Sequence, residues 1–117
     1  MGLEHVFGSK PVPLVLDFLM SFRHWDYSMR DISRATGVSF RTLQRVMPRL
    51  EATELVVRTR TEGRAQMYMI NFECPLTQKL DAFAMDADLE FAEKQKRKVK
   101  LLHPPARIPV SKPRKKK

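Results

Sequence analysis

The sequence predicts a mainly α-helical fold of the α+β class: three helices, a small β-hairpin, and a long helix after it. Three observations carry that expectation. Residues 28–50, SMRDISRATGVSFRTLQRVMPRL, read as two short capped helices on either side of a tight turn. Beyond Leu50 the apolar spacing shortens to alternation, the period of a strand. From Pro75 a helical spacing returns and persists for about four turns. At 117 residues the chain has room for one modest core plus extensions and not for two good cores.

Residues 1–10 are short, mixed and glycine-containing, which predicts a partly ordered lead-in. Val6 and Phe7 within it can pack on the domain or across a dimer. A folded domain is expected over residues 11–72. Its first helix should run from Pro11 or Pro13 to His24, since proline is tolerated in a first turn and not beyond it. Val15, Phe18, Leu19 and Phe22, flanked by Leu14 and Leu16, are too many for one narrow stripe, so this helix should be covered on more than one side. Trp25 and Tyr27 are expected to plug the junction to the next helix rather than line a ligand pocket.

In the next helix, Ser28 stands in capping position with Asp31 three residues later, a variant of the capping box. Met29, Ile32 and Ala35 share its inward face. Gly37 falls where the helix must stop, because glycine takes positive φ without a Cβ penalty. Ser39 caps the following helix, whose apolar stripe is Leu43, Val46, Met47 and Leu50. Arg41, Arg45 and Arg49 recur every four residues on a separate face, near Thr42, Gln44 and Pro48, with no carboxylate before Glu51. This is the outline of a helix-turn-helix with residues 39–50 as the recognition helix. Such a helix fits the major groove, and Arg, Gln and Thr read base edges or hold phosphates. The amides at its start also suit a phosphate. A plain helical hairpin with solvated arginines is the alternative. Pro48 removes one i to i−4 hydrogen bond and clashes with the carbonyl of residue 44, at a cost of about 3 kcal/mol. The helix is therefore expected to kink or end there, with Arg49 on a separate turn.

The segment EATELVVRTRTEGRAQMYMIN predicts two strands joined across Thr61–Arg64, with Gly63 supplying the turn. Tyr68 and Ile70, with Val57, should pack back on the helices. Arg58 and Arg60, two residues apart, share one strand face, and Arg64 lies at the tip, although Glu62 weakens the local positive potential. The alternative is a merely solvated hairpin.

Three helices followed by such a hairpin make a winged helix. Carried by DISRATGVSFRTLQRVMPRLEATELVVRTRTEGRAQMYMIN, the stretch from Pro11 to Asn71 resembles the winged helix-turn-helix domain of bacterial and archaeal transcription regulators of the MarR and ArsR type. The resemblance implies double-stranded DNA as the partner. It would place Ser39, Phe40, Arg41, Thr42, Gln44 and Arg45 in or beside the major groove, and Arg58, Arg60 and Arg64 on the wing, Arg64 nearest a phosphate or the minor groove. Arg49 joins this set from the helical spacing.

Residues 74–100 are expected to form a C-terminal helix, with Pro75 in its first turn. Leu76, Leu80, Phe83, Ala84, Ala87 and Phe91 recur on one face, and such a stripe must be covered. Homodimerisation by antiparallel or crossed packing of these helices is the expectation; folding back along the monomer is the alternative. Residues 101–117 carry prolines at 104, 105, 109 and 113 and too few apolar residues to offset ordering entropy, which predicts a flexible basic tail.

Charge sharpens the functional expectation. The formal net charge is +9, but residues 1–92 hold eleven basic and twelve acidic residues, whereas residues 93–117 hold eleven basic and one acidic. The excess thus belongs to the last 25 residues, the end of the C-terminal helix and the tail, and the tail should add salt-sensitive, sequence-independent affinity for phosphates, or contact RNA or an acidic protein. The case for DNA contact by the folded part rests instead on arginine placement.

Other chemistry lacks its parts. His5, His24 and His103 lie in three separate segments, no metal-ligand spacing or glycine-rich phosphate loop occurs, and Cys74 is the sole cysteine, so no enzyme, metal or cofactor is expected. No apolar run reaches transmembrane length and no signal-peptide pattern opens the chain, which points to the cytoplasm and association with the nucleoid. The leading expectation is a sequence-specific, homodimeric transcription regulator. An architectural, plasmid-maintenance or DNA-coating protein, and a winged-helix interaction module of a transcription, replication or RNA-processing complex, are the alternatives.

Overall fold

The computed structural model describes residues 2–100, and the side chains of residues 2–96. Among the described residues the chain is mixed α+β, with five helices and one three-stranded antiparallel sheet. The basic tail, with the RNA or acidic-protein contact expected of it, lies outside them.

The start of the chain is not a loose lead-in. Gly2–Phe7 form a helix, α1, and Leu3 is buried in the core. Six residues are too few to hold a helix by hydrogen bonding alone, so tertiary contacts hold it. The buried Asp17 carboxylate, from the next helix, accepts the Leu3 N–H at 3.0 Å and the Glu4 N–H at 2.9 Å, two of the orphan donors of the first turn.

The next helix, α2 (Pro11–Ser21), carries proline at its start and buries Val15, Leu16, Leu19 and Met20. It stops before His24, and the Trp25 N–H turns back to the Phe22 carbonyl at 3.2 Å. That turn leaves Trp25 66% exposed, so it is no plug. Tyr27 alone fills the junction, with its ring centroid 4.8 Å from that of Phe18. Tyr27–Ser28 form β1, which pairs antiparallel with the later hairpin through Tyr27↔Tyr68 and Ser28↔Met67.

Helix α3 (Met29–Thr36) begins with the full capping box: Asp31 N–H to Ser28 Oγ at 3.1 Å, and Ser28 N–H to Asp31 Oδ2 at 3.2 Å. Ile32 is buried and Met29 half-buried, but Ala35 is exposed rather than inward. Val38 supplies the next core contact instead. Its carbonyl accepts from Ser33 Oγ at 2.6 Å and its N–H donates to Thr36 Oγ1 at 3.2 Å, fixing the turn around Gly37, whose φ is 80°.

Helix α4 (Phe40–Ala52) runs unbroken through Pro48, against the expected early end. Two physical reasons account for this. Pro48 lies on the exposed side, where water can satisfy the Gln44 carbonyl that loses its amide partner. Met47 and Leu50, buried on either side of it, fasten both halves of the helix to the same core.

Strands β2 (Val56–Glu62) and β3 (Ala65–Ile70) form the hairpin, and the strand order is β1-β3-β2. The turn is two residues, tighter than expected, with Gly63 at φ 63°. The side packed on the helices comprises Val56, Tyr68 and Ile70, with Val56 opposite Ile70; Val57 is only partly buried, one residue out of the expected place.

Finally, α5 (Pro75–Lys100) packs against α1. Gly2 meets Ala84 so closely that a Cβ there would lie 1.9 Å from the Ala84 carbonyl oxygen. Arg23 fastens α2 to α5 through Asp81 at 3.1 Å and lies 4.3 Å from the Phe72 ring centroid. No helix among the described residues is long and apolar enough to cross a membrane.

Candidate nucleic-acid interface

The outward face of α4 is built by its own periodicity. Leu43, Val46, Met47 and Leu50 turn into the core, which forces Arg41, Gln44, Arg45, Pro48 and Arg49 outward. Ser39 begins the helix: its Oγ accepts the Thr42 N–H at 3.1 Å and donates to Thr42 Oγ1 at 2.9 Å. Ser39 is exposed and Thr42 half-buried, so these two shape the start of the helix while staying at its surface. Because α4 is continuous, Arg49 stays on the same helix as Arg41 and Arg45, two turns beyond the first.

Phe40, the first residue of α4, is 44% exposed. It opens onto a cleft of about 640 Å³ between α4, the start of α3 and the hairpin, whose lining also includes Gln44, Arg30, Arg58, Arg64 and Tyr68. The cleft thus brings together members of the predicted set that are distant in sequence: Phe40 and Gln44 from α4, Arg58 and Arg64 from the hairpin.

The arginines divide into two groups. Arg41, Arg45, Arg49 and Arg64 are exposed and make no ion pair among the described residues. Arg58 and Arg60, by contrast, are held by carboxylates. Arg58 Nε donates to Glu51 Oε2 at 2.6 Å, its guanidinium also donates to Gln66, and it lies 5.8 Å from the Tyr68 ring centroid. Arg60 donates to Asp26 at 2.9 Å and to Glu62 at 2.9 Å. The Arg60 guanidinium, with the Thr59 hydroxyl, holds the Asp26 carboxyl down at about 2, and Glu51 raises Arg58 above the ordinary guanidinium range. These two strand arginines therefore stand in intramolecular pairs, while the α4 arginines face solvent.

Sequence reasoning missed Arg30 and Arg34. Both are exposed on α3, four residues apart on the side away from Ile32, and Arg30 lines the same cleft as Arg64. Their i, i+4 spacing was the available signal. Over residues 28–50 the basic residues number five and the sole acid is Asp31, which is occupied in its capping box.

The residues expected to dimerise have mixed surroundings. Ala84 is buried under Gly2, Leu80 packs on the core, and Ala87 is partly buried. Phe91 stacks on His5 with centroids 4.0 Å apart, and Phe83 lies 6.2 Å from Phe7. Leu76 remains 56% exposed. Much of this stripe is thus met by α1 of the same chain.

Cys74 sits at the head of α5, half-buried, where the Thr77 and Leu76 amides pull its thiol below the ordinary range. Among the described residues no three His, Cys, Asp or Glu side chains are grouped to hold a metal ion. Comparison with protein-family models, with curated proteins and with solved structures found no match.

Proposed function

We propose that the chain is a sequence-specific double-stranded DNA-binding protein of winged helix-turn-helix type, acting as a homodimeric transcription regulator. The single observation that carries this reading is the outer face of α4: Arg41, Gln44 and Arg45 exposed, without ion pairs among the described residues, on a helix anchored by four buried residues. Arg and Gln on an exposed helix are the side chains that make bidentate contacts with guanine and adenine edges. Arg30, Arg34 and Arg64 flank that face and suit phosphates, which fix orientation without reading sequence. Arg58 and Arg60 add little until their carboxylates are displaced.

Selection of bound sequences from a random duplex library, with the mass of the complex measured on the same material, tests the reading. The expected result is one enriched site with two related halves and two chains bound. Recovery of no preferred sequence, with protection spreading along the duplex, would favour an architectural DNA-coating protein. Absence of duplex binding at moderate salt would overturn the proposal.

A further inference from the structure

Helix α5 carries a second apolar face, turned away from the stripe that meets α1, with Met85 at its edge beside Gly2 in a small cleft. Ala82, Met85, Leu89 and Ala92 follow the 3–4 spacing of a coiled-coil seam, and they lie around the helix from Ala84, which faces Gly2. All four are exposed, Met85 by 58% and Leu89 by 67%, the latter the most exposed large apolar side chain among the described residues. A seam of this kind on a helix of 26 residues invites a second helix.

We infer that this face binds α5 of a second copy, antiparallel, with Leu89 of each chain against Ala92 of the other. Charge identifies the occupant and the register. By sequence, residues 81–90 contain Asp81, Asp86, Asp88 and Glu90 and no basic residue, net −4, with Asp81 paired to Arg23 and Asp88 to His5 in the same chain; residues 91–100 contain five basic residues and Glu93, net +4. Parallel pairing lays like charge on like. Antiparallel registers that keep the seam in phase lie seven residues apart, and two of them pair Leu89 with another residue of the seam. One sets Met85 against Leu89 and lays Asp86 of each chain opposite Asp88 of the other. The other, seven residues along, sets Leu89 against Ala92 and Met85 against Lys96, so that each −4 segment lies on a +4 segment twice over. Lys96 can bury its stem beside Met85 and bring its ammonium to the flanking Asp86. An interface in which one segment complements another of the same chain closes as a two-fold dimer. The inference rests on the homodimer in the proposed function, and moves its surface from the Leu76–Phe91 stripe to the opposite side of α5.

The test is sedimentation of the full chain at tens of micromolar, with Met85→Glu/Leu89→Glu and with Phe83→Ser as a control on the α1 side. Wild type and the control are expected at two-chain mass, and the double variant at one-chain mass with unchanged helical circular dichroism. In a Cys74→Ser background, Leu89→Cys/Ala92→Cys is expected to form a covalent dimer on oxidation, and Met85→Cys/Leu89→Cys is not. A dimer unmoved by Met85→Glu/Leu89→Glu overturns this surface while leaving the homodimer standing. Cross-linking only through Met85→Cys/Leu89→Cys overturns the register. A monomeric wild type overturns both, including one that dimerises only when residues 101–117 are removed, which would assign the face to the tail.

Discussion

Arg60 donates from Nε to the Asp26 carboxylate at 2.9 Å, tying β2 to the loop that precedes β1. A guanidinium so held is oriented but not available: a phosphate must displace a carboxylate to reach it. Because Glu62 also holds it, at 2.9 Å, Asp26→Asn together with Glu62→Gln should release it. The expected outcome is tighter duplex binding at low salt and a plot of log affinity against log salt steeper by about 0.9 for the added phosphate contact. An unchanged slope would show that Arg60 does not reach DNA.

The same pair has a pH signature. Arg60, and then Thr59, lower the Asp26 pKa from 3.8 to about 2 in the folded chain. A carboxylate depressed on folding stabilises above its unfolded pKa, and that contribution is lost as pH falls toward the folded value. The wild type should therefore exceed Asp26→Asn in stability above pH 4, and the two should converge between about pH 4 and pH 2. Thermal melts followed through the neighbouring Trp25 check this.

Arg41→Ala and Arg45→Ala separate a DNA contact from a structural role. Both side chains are exposed and unpaired among the described residues, so each substitution should change folding stability by less than about 0.5 kcal/mol. If they read bases, each should cost about 1–3 kcal/mol of specific binding and relax the base preference at one position. Preserved regulatory output in the double variant would favour a protein-interaction module.

Helix α1 should be separable from the rest of the fold. Asp17→Ala removes the acceptor of the Leu3 and Glu4 amides, a loss of about 1–3 kcal/mol for charge-assisted bonds at a buried helix start. Gly2→Ala drives a Cβ into the Ala84 carbonyl. Both should raise amide exchange over residues 2–7 selectively, leaving α3 and α4 protected.

What was legible in the sequence was what short-range rules govern. The Ser28–Asp31 capping box, the Gly37 stop and the α4 stripe follow from residues within a turn of one another, and each stands as read. The parts missed depend on partners far along the chain. Six residues of α1 gain their helix from Asp17 and Ala84, and two residues of β1 are too short for alternation to register. Trp25 was misplaced because aromatic character does not say which way a turn points it. At the candidate interface the residue types were readable, but the division was not: that Arg58 and Arg60 are engaged, and Arg41 and Arg45 are not among the described residues, depends on where Glu51 and Asp26 arrive in space.

Pro48 offers a last test, because the sequence and the folded chain weigh it differently. Proline in a helix interior costs about 3 kcal/mol where nothing relaxes around it. Here its ring is on the exposed side, and Met47 and Leu50 hold the helix on course. Pro48→Ala restores an N–H that can donate to the Gln44 carbonyl and removes the ring's clash, without touching the core. Stability should rise by about 1–3 kcal/mol, seen as a higher denaturant midpoint with an unchanged slope. Binding should respond less than stability, because α4 already runs through to Ala52 and Arg49 keeps its place on the outward face. A large change in affinity with no gain in stability would mean that proline sets the path of the helix over DNA, and that position 48 serves the interface rather than the fold.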